Sequence, residues 1–506
     1  MTSEISKNTI IAKNTLLLSI RMLIVMFVTF FTSRVVLEAL GVTGYGVYSL
    51  IGGLAFSFGF FSSSLSNATQ RYLSFAHGHK NENEVKAVFN ATALFYIILG
   101  GAILSIGCII GPWLISSVTI PESLVNSAYW IYYCGLVSLT VTLTATMFDS
   151  VLIARENMKV YAYLSIFDVL GKLGIAYLIY ITTSSKLIAY AISLMILSII
   201  VKGVMIYFCL NRYSECHVKL HWDKKMVKEL GGFIGWNGFG TIIFTINNQG
   251  LNLILNFFFG PVVNAARGVA NQVNGAINNF SSNFLLAISP QMMKSYAAND
   301  MIKFHQLFNY CARYSFALLW ILFLPIILRR EFILHLWLKN VPDYTDIFLL
   351  WIIIYSLVDI YINPQWFAIQ AIGKLKMYML AVNTIFLMVL PISWMCLKIG
   401  MNPEAVFQIM VIDRIVAIIA SLFIIKKYIV FSISNYIIHS VCPNILAITI
   451  SLPLSIIVNK LIPQSFCGLI LNSLVVMTVC FICVWFIVFT HSERRKITNL
   501  IMNKFK

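Results

Sequence analysis

The 506-residue chain is 59% hydrophobic and only 11% charged, yet 36 Lys and Arg against 19 Asp and Glu leave a formal charge of +17. So little charge, with a mean hydropathy of +0.85, excludes a soluble globular protein of this length. A segment crossing lipid must satisfy its own backbone hydrogen bonds, so apolar runs of about 20 residues predict α-helices.

Fourteen such runs follow one another at 10–36, 44–66, 87–111, 125–148, 160–181, 187–209, 231–258, 265–289, 308–328, 344–368, 377–397, 404–425, 437–458 and 466–490. Basic residues flank them on alternate sides. Of the 36 Lys and Arg, 23 fall in segments assigned to the cytoplasm, and six (Lys186, Arg329, Arg330, Lys339, Lys398 and Lys460) fall on the other side. This asymmetry obeys the positive-inside rule and places both termini in the cytoplasm. It also explains the net charge without nucleic acid, because orientation charge faces an anionic leaflet. No cleavage site of small residues follows the first span, which is therefore expected to be retained. The expected fold is all-α, a polytopic integral membrane protein of about 14 transmembrane helices.

The loops are too short to hold a separate domain. The longest outer one offers Glu331, His335, Asp343 and Asp346 scattered among aromatics, and no Walker A, Rossmann glycine, H-E-x-x-H or G-x-S-x-G pattern occurs. The chain is not expected to be an enzyme, and no catalytic residue, metal ligand or bound cofactor is assigned. Cys480 and Cys483 form a C-x-x-C inside the last span, where packing is the expected role.

Polar residues at membrane depth are costly and normally face protein or a watery cavity. Several align at helical spacing. Span 8 carries Asn264, Arg267, Asn271, Asn274, Asn278 and Ser282 on one face, and span 7 carries Asn237, Thr241, Thr245, Asn248 and Asn252. Span 5 aligns Tyr161, Ser165, Asp168 and Lys172, the last two as an i,i+4 ion pair, and span 1 adds Asn14, Arg21 and Thr32. Single amides act as interhelical glue; two adjacent stripes of about five such residues point instead to a hydrated cavity. Arg34 and Lys202 either line that cavity or snorkel to a surface. Asp359, ahead of a kink expected at Pro364, and the Asp413–Arg414 dipeptide are further rare signals. Spans 13 and 14 hold no charged residue, and the polar stripes are expected to end with span 12.

The beginning and middle of the chain resemble each other, Gly41 matching Gly260 and Ser62–Ser63 matching Ser281–Ser282. With six spans, a basic loop at 210–230 and six more spans, this predicts two pseudo-repeated lobes around a central cavity. The expected division is 1–215, 216–430 and an appended pair with a basic tail at 431–506.

The segments SRVVLEALGVTGYGVYSLIGGL, ATQRYLSFAHG, VLIARENMKVYAYLSI, FFFGPVVNAARGVANQVNG and LLAISPQMMKSYAANDM resemble the polysaccharide transporter family, the Wzx-type oligosaccharide flippases of the multidrug, oligolipid and polysaccharide exporter superfamily. The likeness runs over most of residues 10–430. It implies alternating access that moves an undecaprenyl-diphosphate-linked oligosaccharide (an O-antigen or capsule unit) from the inner to the outer leaflet. The expected partners are that lipid-linked glycan, membrane lipids and polysaccharide biosynthesis proteins. Under that resemblance Arg21, Arg34, Lys172 and Arg267 compensate a diphosphate, and Asn237, Asn248, Asn252, Asn271, Asn274 and Asn278 meet sugar hydroxyls. A proton or sodium gradient is then coupled through Asp168, Asp359 or Asp413. The departure is at Asn264 and Arg267, where the family often has an aromatic. The competing readings are a multidrug or metabolite exporter, a peptidoglycan-precursor flippase and, from another class, a membrane polymerase or ligase.

Overall fold

The computed structural model describes residues 2–60, 82–155, 157–181, 185–217 and 224–495, with isolated positions between 62 and 76 and at 498. Side chains are described from Arg21 onward, apart from those of 224–239 and most of 279–290 within the helices. Every regular element among the described residues is helical. Twelve helices are long and apolar enough to cross a membrane.

Two differences separate these twelve from the fourteen expected spans, and both are local. The first two spans form one run, α1 (Thr2–Ser57), interrupted at Gly41, whose φ of 72° and ψ of 169° are open to glycine and costly for other residues. The eighth span is helix α7 (Pro261–Ala297), which is not among the twelve because its stripe of Asn and Arg dilutes its apolar content.

The chain divides into two compact units, one of residues 1–268 with 338–342, the other of 269–337 with 343–506. In the first unit, α1 packs along α4 (Met158–Ile181), and α3 (Val125–Ala154) lies between α2 (Glu82–Ser116) and α5 (Lys186–Arg212). Its core is built from Ile51, Phe89, Tyr96, Tyr132, Leu136, Phe148 and Val151. Helix α6 (Lys224–Phe259) joins this unit through α1 and α2.

The second unit contains α8 (Met301–Leu328), α9 (Arg330–Trp337), α10 (Thr345–Asp359), α11 (Ile362–Ile372), α12 (Leu375–Lys398), α13 (Ala405–Tyr428), α14 (Cys442–Leu461) and α15 (Phe466–Cys483). The tenth span breaks between Asp359 and Ile362, upstream of Pro364, because the proline ring opposes the carbonyl four residues earlier at Ile360.

Helix α8 is the spine of this unit and holds the appended pair by side chains along its whole length. Ser440 donates to Asn309 Oδ1 at 3.1 Å, Arg313 pairs with Glu493 at 2.5 Å, and Trp320 Nε1 donates to Ser451 Oγ at 2.9 Å. At the far end Arg329 donates to Asn459 and to the carbonyls of Ile462 and Pro463, where the end of α14 favours a cation. From Asn309 to Arg329 the spine rises about 30 Å, the thickness of the hydrocarbon layer.

These contacts correct the expectation that polar stripes end with span 12. Ser440, Asn444, Ser451, Ser455 and Asn459 follow helical spacing on one face, and the first four are buried. The serines escaped notice because a hydroxyl can bond back to its own helix, as Ser451 does to the Ala447 carbonyl, and so hides in an apolar run.

Arg313 and Glu493 are both largely buried. Burial pushes the Glu493 carboxyl up, but hydrogen bonds from Thr490 and Tyr314 and the charge of Arg313 outweigh it and hold it below the ordinary range. Glu493→Ala, which strands a buried guanidinium, is expected to cost about 3–5 kcal/mol, whereas the double change Arg313→Leu with Glu493→Leu costs far less. Thermal unfolding in detergent checks both. Because the folded carboxyl is the stronger acid, the wild-type advantage is full above about pH 4–5 and fades as pH falls through its lowered value.

Candidate functional site

The first unit carries a polar seam where α1 runs along α4. At one end the Arg21 guanidinium lies 4.9 Å from the centre of the Tyr161 ring and donates to Ser165 Oγ at 3.5 Å, with its Nε buried and unpaired. Two turns along α4, Lys172 and Asp168 pair at 2.7 Å, with Lys172 nearly half exposed. Phe31 and Tyr177 pack at 6.3 Å further along. At the far end Glu38 accepts from Tyr180 at 3.0 Å and pairs with Lys339 at 2.5 Å. Arg34, partly buried on α1 one turn before Glu38, adds a second positive field there. The hydrogen bond and charge of Glu38 raise the Lys339 ammonium above its ordinary value. Arg21, Arg34, Asp168 and Lys172 thus lie at successive points along the seam and not in one cluster, Arg21 and Arg34 standing about 20 Å apart along α1.

A second cluster in the same unit joins α6 to the start of α7. Arg267 is 1% exposed, and its guanidinium donates to the Asn248 carbonyl at 2.9 Å, to Asn248 Oδ1 at 3.1 Å and to Asn252 Oδ1. Asn252 in turn donates to Gln249 at 2.9 Å, and Asn264 donates to the Asn252 carbonyl at 3.1 Å. All three acceptors of Arg267 are neutral, and its Nε has none. Three residues expected to line one cavity therefore meet as an enclosed clamp. Asn237 lies on α6, but its side chain is outside the described residues.

The second unit holds the remaining expected residues in two groups. Asn274 accepts from Ser356 at 3.0 Å and from Asn278 at 3.4 Å, while Asn271 is partly buried one turn earlier on α7. Arg414 pairs with Asp359 at 2.8 Å, donates to the Tyr355 hydroxyl at 2.7 Å and lies over the Tyr355 and Phe386 rings. Asp413 is 8% exposed.

Sequence reasoning missed several contacts. Lys202 is held by Asp149 at 2.8 Å, a carboxylate that the span boundaries had placed at a helix end. Asn256 clasps the backbone of Thr119, accepting from its N–H at 2.8 Å and donating to its carbonyl at 3.2 Å. Gly46 faces Pro261 so closely that a Cβ there would stand 2.0 Å from the Pro261 carbonyl oxygen.

Comparison with known proteins agrees with this architecture. Residues 18–178, which contain the whole α1–α4 seam up to Tyr177, match the MatE family model. An inward-facing multidrug resistance MATE family transporter of the MOP superfamily superposes with a TM-score of 0.70 at 13% identity, over 82% of this chain and 97% of its own. The lipid II flippase MurJ, in an inward closed conformation, gives 0.68 at 13% identity over 92% and 98%. The Vibrio cholerae MATE transporter VcmN, as a point mutant, gives 0.59 at 16% identity over 84% and 98%. No curated protein sequence matches. The chain has the fold of the MATE transporters and of MurJ.

The tightest backbone approach in the MATE-like first unit yields a direct test. Gly46→Ala must push Pro261 away and is expected to destabilise the protein by about 1–3 kcal/mol. Gly52→Ala, with open space around its Cβ, should be neutral or slightly stabilising. Melting temperatures of the two variants in one detergent compare them directly.

Proposed function

We propose that the protein flips an undecaprenyl-diphosphate-linked oligosaccharide from the inner to the outer leaflet of a bacterial inner membrane, by alternating access and for surface polysaccharide assembly. The observation that carries this reading is the α1–α4 seam. It lies mostly in the MatE-matched segment, residues 18–178, and carries Arg21 beside Tyr161 and Ser165, Lys172 further along α4, and Arg34 near Glu38, the partner of Tyr180. Guanidinium and ammonium groups suit a diphosphate, and hydroxyls and amides exchange hydrogen bonds with a glycan.

In this reading residues 1–215 and 216–430 act as the two moving lobes, 431–506 travels with the second, and both termini are cytoplasmic. The charge asymmetry across the spans supports that sidedness. MurJ, described as a lipid II flippase, shares the fold over more of this chain than either MATE structure does, 92% against 82% and 84%. A flippase of lipid-linked sugars therefore has a precedent in this fold. The clamp at Arg267, enclosed in the present conformation, serves the cargo only if α6 and α7 separate during the cycle. The runner-up reading is a multidrug exporter, favoured by the MATE likeness. Three cations along one seam disfavour a cationic drug.

The decisive measurement is the leaflet location of the lipid-linked oligosaccharide in a strain lacking the protein. Spheroplasts exposed to an impermeant lectin or glycosidase should show complete lipid-linked glycan that accumulates and stays inaccessible. Accessible accumulation would place the block after translocation and overturn the proposal. Lys172→Ala and Arg21→Ala, made at wild-type levels, should each reproduce part of the inaccessible pool.

A further inference from the structure

The break in the tenth span lies beside α8, and the π-helical turn Ile437–Val441 that leads into α14 packs on the same helix. Two departures from α-helical backbone therefore share one spine. There Gln365, in the first turn of α11, is 0% exposed, and neither its amide nitrogen nor its amide oxygen has a hydrogen-bond partner. The Tyr436 hydroxyl, just ahead of the π-helical turn, Asn444 Oδ1 on α14 and Ser315 Oγ on α8 are likewise buried and unpaired. These groups are neighbours. Tyr436 lies within electrostatic reach of Tyr361, Cys311 and Gln365, and its ring stands 5.2 Å from that of Phe308 on α8. Asn444 donates to the Tyr361 hydroxyl at 2.8 Å, and Tyr361 packs at 5.3 Å on Phe316, next to Ser315.

An amide or hydroxyl taken out of water without a partner is costly, and native proteins answer such groups with ordered water. The groups present decide what fits here. Cys311, Ser315, Tyr361, Gln365, Tyr436 and Asn444 include no acidic or basic side chain, so an ion would enter uncompensated. An apolar guest, such as a lipid chain, would leave the amide unpaired. The Gln365 nitrogen needs an acceptor and its oxygen a donor, so the guest must be small, neutral and able to do both. Irregular backbone at membrane depth is tolerated where it lines such a wet space. At about three hydrogen bonds per buried water, the five unpaired atoms call for about two molecules.

We propose that the second unit holds an internal water site here, bound by Gln365, Tyr436, Asn444 and Ser315, and that these waters make the break in the tenth span a joint. Water can change partners as α11 bends against α10, whereas direct bonds between side chains would fix one angle. The appended pair supplies Tyr436 and Asn444, so its role extends beyond packing: it closes the wet side of the joint. The site does not depend on which cargo the protein carries.

Radiolytic hydroxyl-radical labelling of the full-length protein in liposomes reads the site directly, because radicals formed from bound water oxidise the side chains that touch it. Tyr436 and Cys311 should take up label although both are almost wholly buried. On rapid mixing with water carrying heavy oxygen, their label should change isotope later than that of the exposed Tyr344. Tyr132, equally buried but with its hydroxyl bonded to the Gly107 carbonyl, should stay unlabelled. A Tyr436 that labels no more than Tyr132 overturns the proposal, and that comparison needs no variant. Gln365→Leu, which replaces the unpaired amide by an apolar group of similar size, should cut the Tyr436 label several-fold and slow amide hydrogen exchange over residues 360–366. A Tyr436 label unchanged by Gln365→Leu overturns the assigned site, and a lost label with unchanged exchange overturns the joint.

Discussion

A charge inside the hydrocarbon layer has no water to solvate it, and nearly every polar contact in this protein answers that constraint. Lys172, Lys202, Arg313 and Arg414 each meet a carboxylate, and each of those pairs crosses between helices except the first, which closes within one. Arg267 and Arg329 meet the same constraint with neutral oxygens. Arg329 collects carbonyls at a helix end, where the aligned peptide dipoles act as a partial negative charge. Among the described residues Arg267 donates only to amides and the Asn248 carbonyl, so its positive charge is hydrogen-bonded there without a carboxylate. The packing of the helices follows from where these partners sit along each helix.

Much of the fold was legible because that constraint also writes itself into sequence. Apolar runs bounded by basic loops can only be spanning helices, and Asp168 four residues before Lys172 pairs as helical geometry requires. What was not legible depends on which helices meet. Asp149 carries no local sign that Lys202, on a helix two elements later, will be its partner. The fusion of the first two spans across Gly41 turns on one residue's backbone angles, and a glycine in an apolar run usually means something milder. The stripe on α14 was readable in principle as Ser440, Asn444, Ser451, Ser455 and Asn459. It carries no charge, and its hydroxyls hide in an apolar run by bonding back to their own helix.

The candidate site shows the same division. Reading along one helix found the α4 stripe and the two asparagine stripes, since periodicity is a property of one segment. It could not tell a stripe that stays open from one that another helix closes. Arg267, Asn248 and Asn252 were placed on facing stripes and do meet, but they meet one another, with the guanidinium 1% exposed. Lys172 lies on a stripe of the same kind and remains nearly half exposed. Pairwise spacing fixes which residues share a face, and only the neighbouring helix decides what that face is for.

This difference bears on how an anion would be received. A buried cation already fixed in three hydrogen bonds must lose all of them to accept a new ligand, and the amides it leaves would need partners in turn. An exposed ammonium paired with one carboxylate gives up less, because water can solvate both groups as they separate. In the proposed flippase reading the exposed Lys172–Asp168 pair is therefore the readier of the two sites to open toward an anion, and the Arg21 guanidinium over Tyr161 lies along the same seam. The Arg267 clamp behaves as the opposite kind of element, stable closed and costly to open, which suits a joint between α6 and α7 better than a surface over which a cargo slides.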